Sequence, residues 1–153
     1  MIYHHTPYFE LQNFLCLDCG QKKTGIAHNF NQNTIAFPFE TVNTDVLLST
    51  MFSLLRKHNF NKIIVGLPFA YPESESYVFV IQFTEFLQAN LQNFDFIFWD
   101  ETNSSNEIRT AYKHGRKGFS KKFYKNYDKQ AASLILNDFL ACNFDFTRGS
   151  PVS

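Results

Sequence analysis

A short apolar run that ends on a carboxylate constrains this chain more than any other feature. Phe14-Leu15-Cys16-Leu17 stops at Asp18, and Gly20, Lys22, Lys23 and Gly25 follow at once. A run of that kind closed by glycine predicts a buried strand. Its last residue then projects from the carboxyl edge of a sheet, where open α/β sheets keep their ligand sites. Ionised carboxylates are seldom set against a core without a partner, and a metal ion is one common partner. Asp100-Glu101 and Asp128 stand in similar contexts downstream. The three positions together point to metal-assisted chemistry on phosphates.

The chain of 153 residues is one domain's length, enough to bury about two-thirds of its unfolded surface. Its 44% hydrophobic and 18% charged residues suit an ordinary globular protein. No apolar stretch approaches the ~20 residues of a membrane span, so no membrane partner is expected. Met1-Ile2-Tyr3-His4-His5 does not start like a signal peptide, and three cysteines without a framework suit a reducing, cytoplasmic setting. The formal net charge is zero, but it is unevenly spread. Arg109, Lys113, Arg116, Lys117, Lys121, Lys122, Lys125 and Lys129 face one acid, Asp128, within a single window. That window carries +7 and the rest of the chain −7. A localised basic patch is the electrostatic footprint of a phosphate-backbone binder.

The element order predicts a loose leader over residues 1–9, a domain over 10–142 and a polar tail over 143–153. Strands are expected at Phe14–Asp18, Thr24–Phe30 and Thr34–Phe37, joined as an antiparallel meander. A helix capped by Asn43 or Thr44 follows over Asp45–His58, then a buried strand at Lys62–Leu67 closed by Gly66 and Pro68. Ser76–Asn90 reads as a helix, with Phe79, Phe83 and Phe86 as a core stripe. Phe94–Trp99 reads as another buried strand. Ser104-Ser105-Asn106-Glu107 fits a capping box opening a helix that Gly115 ends, and a final helix covers Tyr127–Cys142. Three antiparallel strands followed by alternating strands and helices make a mixed five-stranded sheet flanked by helices, the plan of an RNase H-like α/β domain.

Asp100 and Glu101 leave the sheet at the same edge as Asp18. Adjacent side chains on a strand point to opposite faces, so only one of the pair can face Asp18; Glu101 is favoured and Asp100 is its substitute. Asp128 heads an apolar stripe through Ala132, Ile135 and Phe139, which turns it toward the domain. Mg²⁺ takes oxygen ligands and is held by a few carboxylates with water and substrate phosphate. Two such ions about 4 Å apart assist attack of water on a phosphodiester. Cys16 and Cys19 have C-x-x-C spacing, yet on a strand their sulfurs point to opposite faces, which argues against a zinc or redox pair.

Leu17-Asp18-Cys19-Gly20-Gln21-Lys22-Lys23-Thr24-Gly25-Ile26-Ala27, Ile64-Val65-Gly66-Leu67-Pro68, Asp100-Glu101 and Tyr127-Asp128-Lys129-Gln130-Ala131-Ala132-Ser133-Leu134-Ile135-Leu136 follow one another at characteristic spacing. In that order they resemble the YqgF/RuvX family over about residues 12–142. That family comprises small bacterial RNase H-like proteins, described as Holliday-junction resolvases and as nucleases maturing the 5′ end of 16S ribosomal RNA. The resemblance implies a metal-dependent endonuclease using Mg²⁺, as two ions with Mn²⁺ as substitute. It assigns catalytic, metal-binding positions to Asp18, Glu101 (or Asp100) and Asp128. It also places Lys22 and Lys23 in the first turn, and Arg116, Lys117, Lys121, Lys122 and Lys125 in a basic loop, as nucleic-acid contacts. Such contacts position a strand without reading its bases. Precursor ribosomal RNA is the preferred substrate class and branched DNA the second, for a monomer or a homodimer.

The chain departs from the family pattern at three places. Thr102-Asn103-Ser104-Ser105 replaces an arginine and a Leu-Ser/Thr-Thr run, Tyr71-Pro72-Glu73 replaces an Asp-Gly turn, and Ile81 stands where an arginine is usual. Those losses keep a non-catalytic RNA-binding maturation factor on a retained nuclease fold as the alternative. A sugar-kinase- or actin-like ATPase is a further alternative, but it needs two such domains and this length holds one.

Overall fold

The computed structural model describes residues 1–3, 10–101, 127–145 and 150–151. Six strands form one mixed sheet in the order β1-β6-β5-β2-β3-β4. They are β1 (Ile2–Tyr3), β2 (Phe14–Cys19), β3 (Lys23–His28), β4 (Phe37–Asn43), β5 (Lys62–Leu67) and β6 (Asp95–Asp100). β2, β3 and β4 pair antiparallel, while β2–β5, β5–β6 and β6–β1 pair parallel. This is the expected RNase H-like plan with one strand more. Ile2 and Tyr3, read as part of a leader, pair with Phe96 and Ile97 and extend the sheet past β6. The Met1 ammonium fixes that edge by donating to the Phe94 carbonyl at 3.0 Å.

β5 and β6 lie inside the sheet and are covered on both faces, so their sequences run apolar without alternation. The odd and even residues therefore feed two separate cores. Leu15, Leu17, Cys19, Ile63, Val65, Leu67, Phe96 and Phe98 pack against helices α1 (Leu47–Leu55) and α2 (Glu75–Asn90) on one face. Phe14, Cys16, Ala27, Ile64 and Ile97 pack against α3 (Tyr127–Asn143) on the other. Cys16 and Cys19 accordingly sit in different cores, as the strand geometry requires.

Five local expectations shift. The third strand is Phe37–Asn43 instead of Thr34–Phe37, because a turn occupies residues 29–33. There the buried Asn29 side chain accepts the Phe14 N–H at 2.6 Å and donates to the Gln12 and Asn33 carbonyls at 2.9 and 3.0 Å. Asn31 and Gln32 take φ of 68° and 56° within this turn. Neither Asn43 nor Thr44 caps α1 through a side chain; a 3-10 turn at Thr44–Val46 leads into the helix. α1 also stops at Leu55, short of His58, with the Lys57 and His58 N–H groups both bonded to the Leu54 carbonyl. In α2 the buried stripe is Val80, Thr84 and Leu87, one residue beyond the aromatic one. Phe79 and Phe83 are partly buried against the same core, as expected, whereas Phe86 is half exposed; the three rings stack on one another at 5.4 and 5.8 Å along the flank of the helix. Finally, β7 (Phe144–Asp145) pairs with β8 (Ser150–Pro151) in the stretch read as a polar tail, and Phe144 is buried. The capping box at residues 104–107 and the helix it opens lie outside the described residues.

Candidate active site

β2 carries Asp18 between Leu17 and Cys19, which both face α1 and α2, so Asp18 faces α3. Cys16 pairs with Ile64 and Leu17 with Val65, and one further step along this parallel register brings Asp18 level with Gly66. Gly66 in turn pairs with Trp99 of β6. The Glu101 N–H donates to the Leu67 carbonyl at 3.1 Å, which carries the ladder one residue past β6. Glu101 therefore projects to the same face as Trp99 and Asp18, whereas Asp100, exposed, projects to the other.

The Gly66 surface locates the Glu101 side chain directly. A Cβ built on Gly66 would lie 3.0 Å from Glu101 Oε2, 3.4 Å from Glu101 Cβ and 2.7 Å from Ile135 Cδ1 of α3. The hydrogen of Gly66 thus leaves the floor on which the Glu101 carboxylate and the helix both rest. The electrostatics agree with this convergence. The Cys16 thiol is pushed well above its ordinary pKa, chiefly by burial, then by the charges of Asp18, Cys19 and Glu101. Cys19 is raised by burial, then by Asp18 and Glu101. Both carboxylates are close enough to press on the same two thiols from the end of the sheet.

α3 brings the third acidic position to this edge. Ile135 lies over Gly66, near the carboxyl end of β5, and Phe139 meets the Phe14 ring edge-on at 5.1 Å, at the start of β2. The helix therefore runs from the carboxyl edge of the sheet toward its amino edge. Asp128, two turns before Ile135, stands ~10 Å further toward the carboxyl side, in the first helical turn. Its side chain lies outside the described residues. Trp99 braces the helix on the same face, donating its indole N–H to Asp138 at 2.8 Å and meeting Phe139 edge-on at 5.4 Å.

The turn after Asp18 is held by glycine and threonine. The Gly20 N–H donates to the Lys23 carbonyl at 2.9 Å, and a Cβ on Gly20 would lie 2.7 Å from that oxygen. Thr44 closes the turn from the 3-10 turn that leads into α1. Its N–H donates to the Lys22 carbonyl at 2.9 Å, and its hydroxyl donates to the Gly20 carbonyl at 2.6 Å and lies 2.9 Å from the Thr24 hydroxyl. Lys22 and Lys23 are consequently exposed on a fixed turn at the edge that carries Asp18. Gly66, Thr24 and Thr44 were not among the candidate residues, although Gly66 stands within the family-like segment at 64–68; its use as a floor depends on which strand lies beside β5. Ile81, where the family pattern has arginine, packs against the α1/α2 core. Arg116, Lys117, Lys121, Lys122 and Lys125 lie outside the described residues.

Among the described residues no three acidic, histidine or cysteine side chains gather into a metal-ligating group. Asp18 and Glu101 nonetheless supply hard oxygen donors on one face, and Mg²⁺ is commonly held by one or two protein carboxylates with water and phosphate completing its shell. The donor set fits that ion better than zinc or a soft metal, since both nearby sulfurs are buried with their thiol pKa raised.

The family model for RuvX, described as Holliday junction resolvase, matches residues 12–142. A protein of Amoebophilus asiaticus is 29% identical over 132 residues, covering 83% of this chain and 92% of its own length. One from Mycoplasma mobile is 29% identical over 133 residues, covering 82% of this chain and 90% of its own. A Karelsulcia muelleri protein is 30% identical over 64 residues, so in that match the chain spans about half of the relative, 46% of its length. Each of the three bears the name "Putative pre-16S rRNA nuclease". With the family model spanning both carboxylate-bearing strand ends and nearly all of α3, the chain belongs to the RuvX family.

Proposed function

We propose that this protein is a metal-dependent endonuclease that hydrolyses phosphodiester bonds in structured nucleic acid, with precursor 16S ribosomal RNA as its substrate and cytoplasmic action. The observation that carries the reading is the placement of Asp18 and Glu101 on the α3-facing side of the sheet's carboxyl edge, either side of Gly66. Asp18 and Glu101 hold the cation, and Asp128 completes the acidic set from the head of α3. Mg²⁺ bound there supplies charge neutralisation at the scissile phosphate and a lowered pKa for the attacking water. Lys22 and Lys23 grip a neighbouring phosphate from the clasped turn, fixing the strand without reading its sequence. Water adds to phosphorus, the bond to the 3′ oxygen breaks, and 5′-phosphate and 3′-hydroxyl ends result. Asp100, on the opposite face, takes no part.

The test is cleavage of a labelled 16S precursor 5′-leader beside a synthetic four-way DNA junction, with Mg²⁺ or Mn²⁺, by the wild type and Asp18→Asn. Metal-dependent cutting of the leader, lost in the variant, is expected. Cutting of the junction in preference would move the substrate to branched DNA. Salt-sensitive binding without cleavage, equal in both proteins, would sink the nuclease reading in favour of a binding factor.

A further inference from the structure

Gly66 contributes no functional group, yet its missing side chain defines the space in which Glu101 sits. Three facts about it are independent of one another. The β5–β6 register sets it beside Trp99, two residues before Glu101 on the same face. The continued β2–β5 register sets it beside Asp18. The space above its Cα is bounded by the Glu101 carboxylate and by Ile135 of α3, at 3.0 and 2.7 Å from where a Cβ would be. Real Cβ atoms essentially never approach another heavy atom to 2.7 Å. A methyl group there must therefore shift the Ile135 δ-methyl, the far end of a flexible side chain, and meet the Glu101 oxygen at its present position.

We infer that Gly66 is a positioning residue for the cation site, the floor that sets where the Glu101 carboxylate stands relative to Asp18. The inference rests on the reading of Asp18 and Glu101 as cation ligands. Gly66 touches neither substrate nor cation; it acts through Glu101. The same atom position also touches Ile135, so two consequences of a methyl group must be separated: the packing of Ile135 is disturbed by the contact with its Cδ1, and the carboxylate is displaced by the contact with Oε2. Shortening Ile135 to valine removes the Cδ1 atom and relieves the first contact while leaving the second. A purely structural glycine would be rescued completely by that shortening. A positioning glycine would recover its stability and keep its defect at the cation.

The experiment compares wild type, Gly66→Ala, Ile135→Val, the double variant Gly66→Ala/Ile135→Val and Glu101→Gln. The readouts are Mn²⁺ affinity by calorimetry and Tm without metal. Ile135→Val is expected to bind Mn²⁺ as the wild type does. Gly66→Ala is expected to lose Tm and to weaken Mn²⁺ binding by roughly tenfold or more, the range seen when support around a metal ligand is removed. The double variant should regain Tm and remain weak for Mn²⁺, near the level of Glu101→Gln. Wild-type Mn²⁺ affinity in the double variant would overturn the inference and leave Gly66 as packing for α3 alone. If Glu101→Gln itself binds Mn²⁺ as tightly as the wild type, the carboxylate reading fails first, and the role assigned to Gly66 falls with it.

Discussion

His28, at the end of β3, is enclosed by rings. It stacks on Phe30 at 4.5 Å, with Phe37 and Phe39 at 6.1 and 6.2 Å, and its Nδ1 accepts the Phe30 N–H at 3.2 Å. His58 stacks on the other side of Phe30 at 4.3 Å. Burial and then the charge of His58 lower the His28 pKa from its ordinary 6.5. The fold thus favours the neutral ring, and a proton on Nδ1 would also displace the Phe30 N–H. Below pH 6.5 the unfolded chain takes the proton more readily than the folded one, so this stabilisation is full above 6.5 and lost as pH falls through the folded value. Tm measured from pH about 7.5 down to about 5 should fall more steeply in the wild type than in His28→Gln. Equal slopes would remove His28 as the cause. None of this is legible in the sequence, because His28-Asn29-Phe30 reads as the end of a strand and the partners come from residues 37, 39 and 58. Asn29 shows the same limit: an asparagine in a turn is expected, whereas one with its amide wholly buried depends on the neighbouring strand.

The central elements were legible because their signals are local. Lys62–Leu67 and α3 differ from expectation by at most one residue at their ends, since an apolar run and a helical stripe need no knowledge of distant partners. Elements at the margins were not. Ile2–Tyr3 is too short to show a period, and its strand character comes wholly from the free edge of β6. β4 is exposed along most of its length and carries Pro38 and Glu40, residues suited to an edge and contrary to a strand signal. Phe144 was hidden for another reason: it follows the last turn of α3 and falls outside the helical stripe. Its ring packs on Phe14 and Phe139 at 6.2 and 6.4 Å, with only 5% of its surface exposed. Phe144→Ala should therefore cost about 3 kcal/mol in urea denaturation, as for a buried aromatic in a core. A loss within experimental error would return residues 143–153 to the status of a tail.

At the scale of the molecule, charge is divided by position as well as by sequence. The chain is neutral in sum, with carboxylates at the carboxyl edge of the sheet and two lysines clasped on the turn beside them. The pairing of Asp18 with Glu101 was partly legible, since strand alternation alone excludes having both Asp100 and Glu101 face one site. The floor beneath them was not, because Gly66 gains its role only from β2 on one side and β6 on the other. The clasped turn leads to a distinction that net charge cannot make. Arg56 and Lys57 are also exposed and basic, but they follow α1 and precede β5, at the opposite edge of the sheet. If the carboxyl edge receives the nucleic acid, Lys22→Ala/Lys23→Ala should lower the slope of log affinity against log salt by about 1.4 on a single strand, about 0.7 for each phosphate no longer neutralised. Affinity should fall by a similar factor across unrelated sequences, since lysine on phosphate carries no base information. Arg56→Ala/Lys57→Ala should leave the slope unchanged. Equal losses in both pairs would mean that binding follows overall charge, and the strand would then have no fixed path past Asp18 and Glu101.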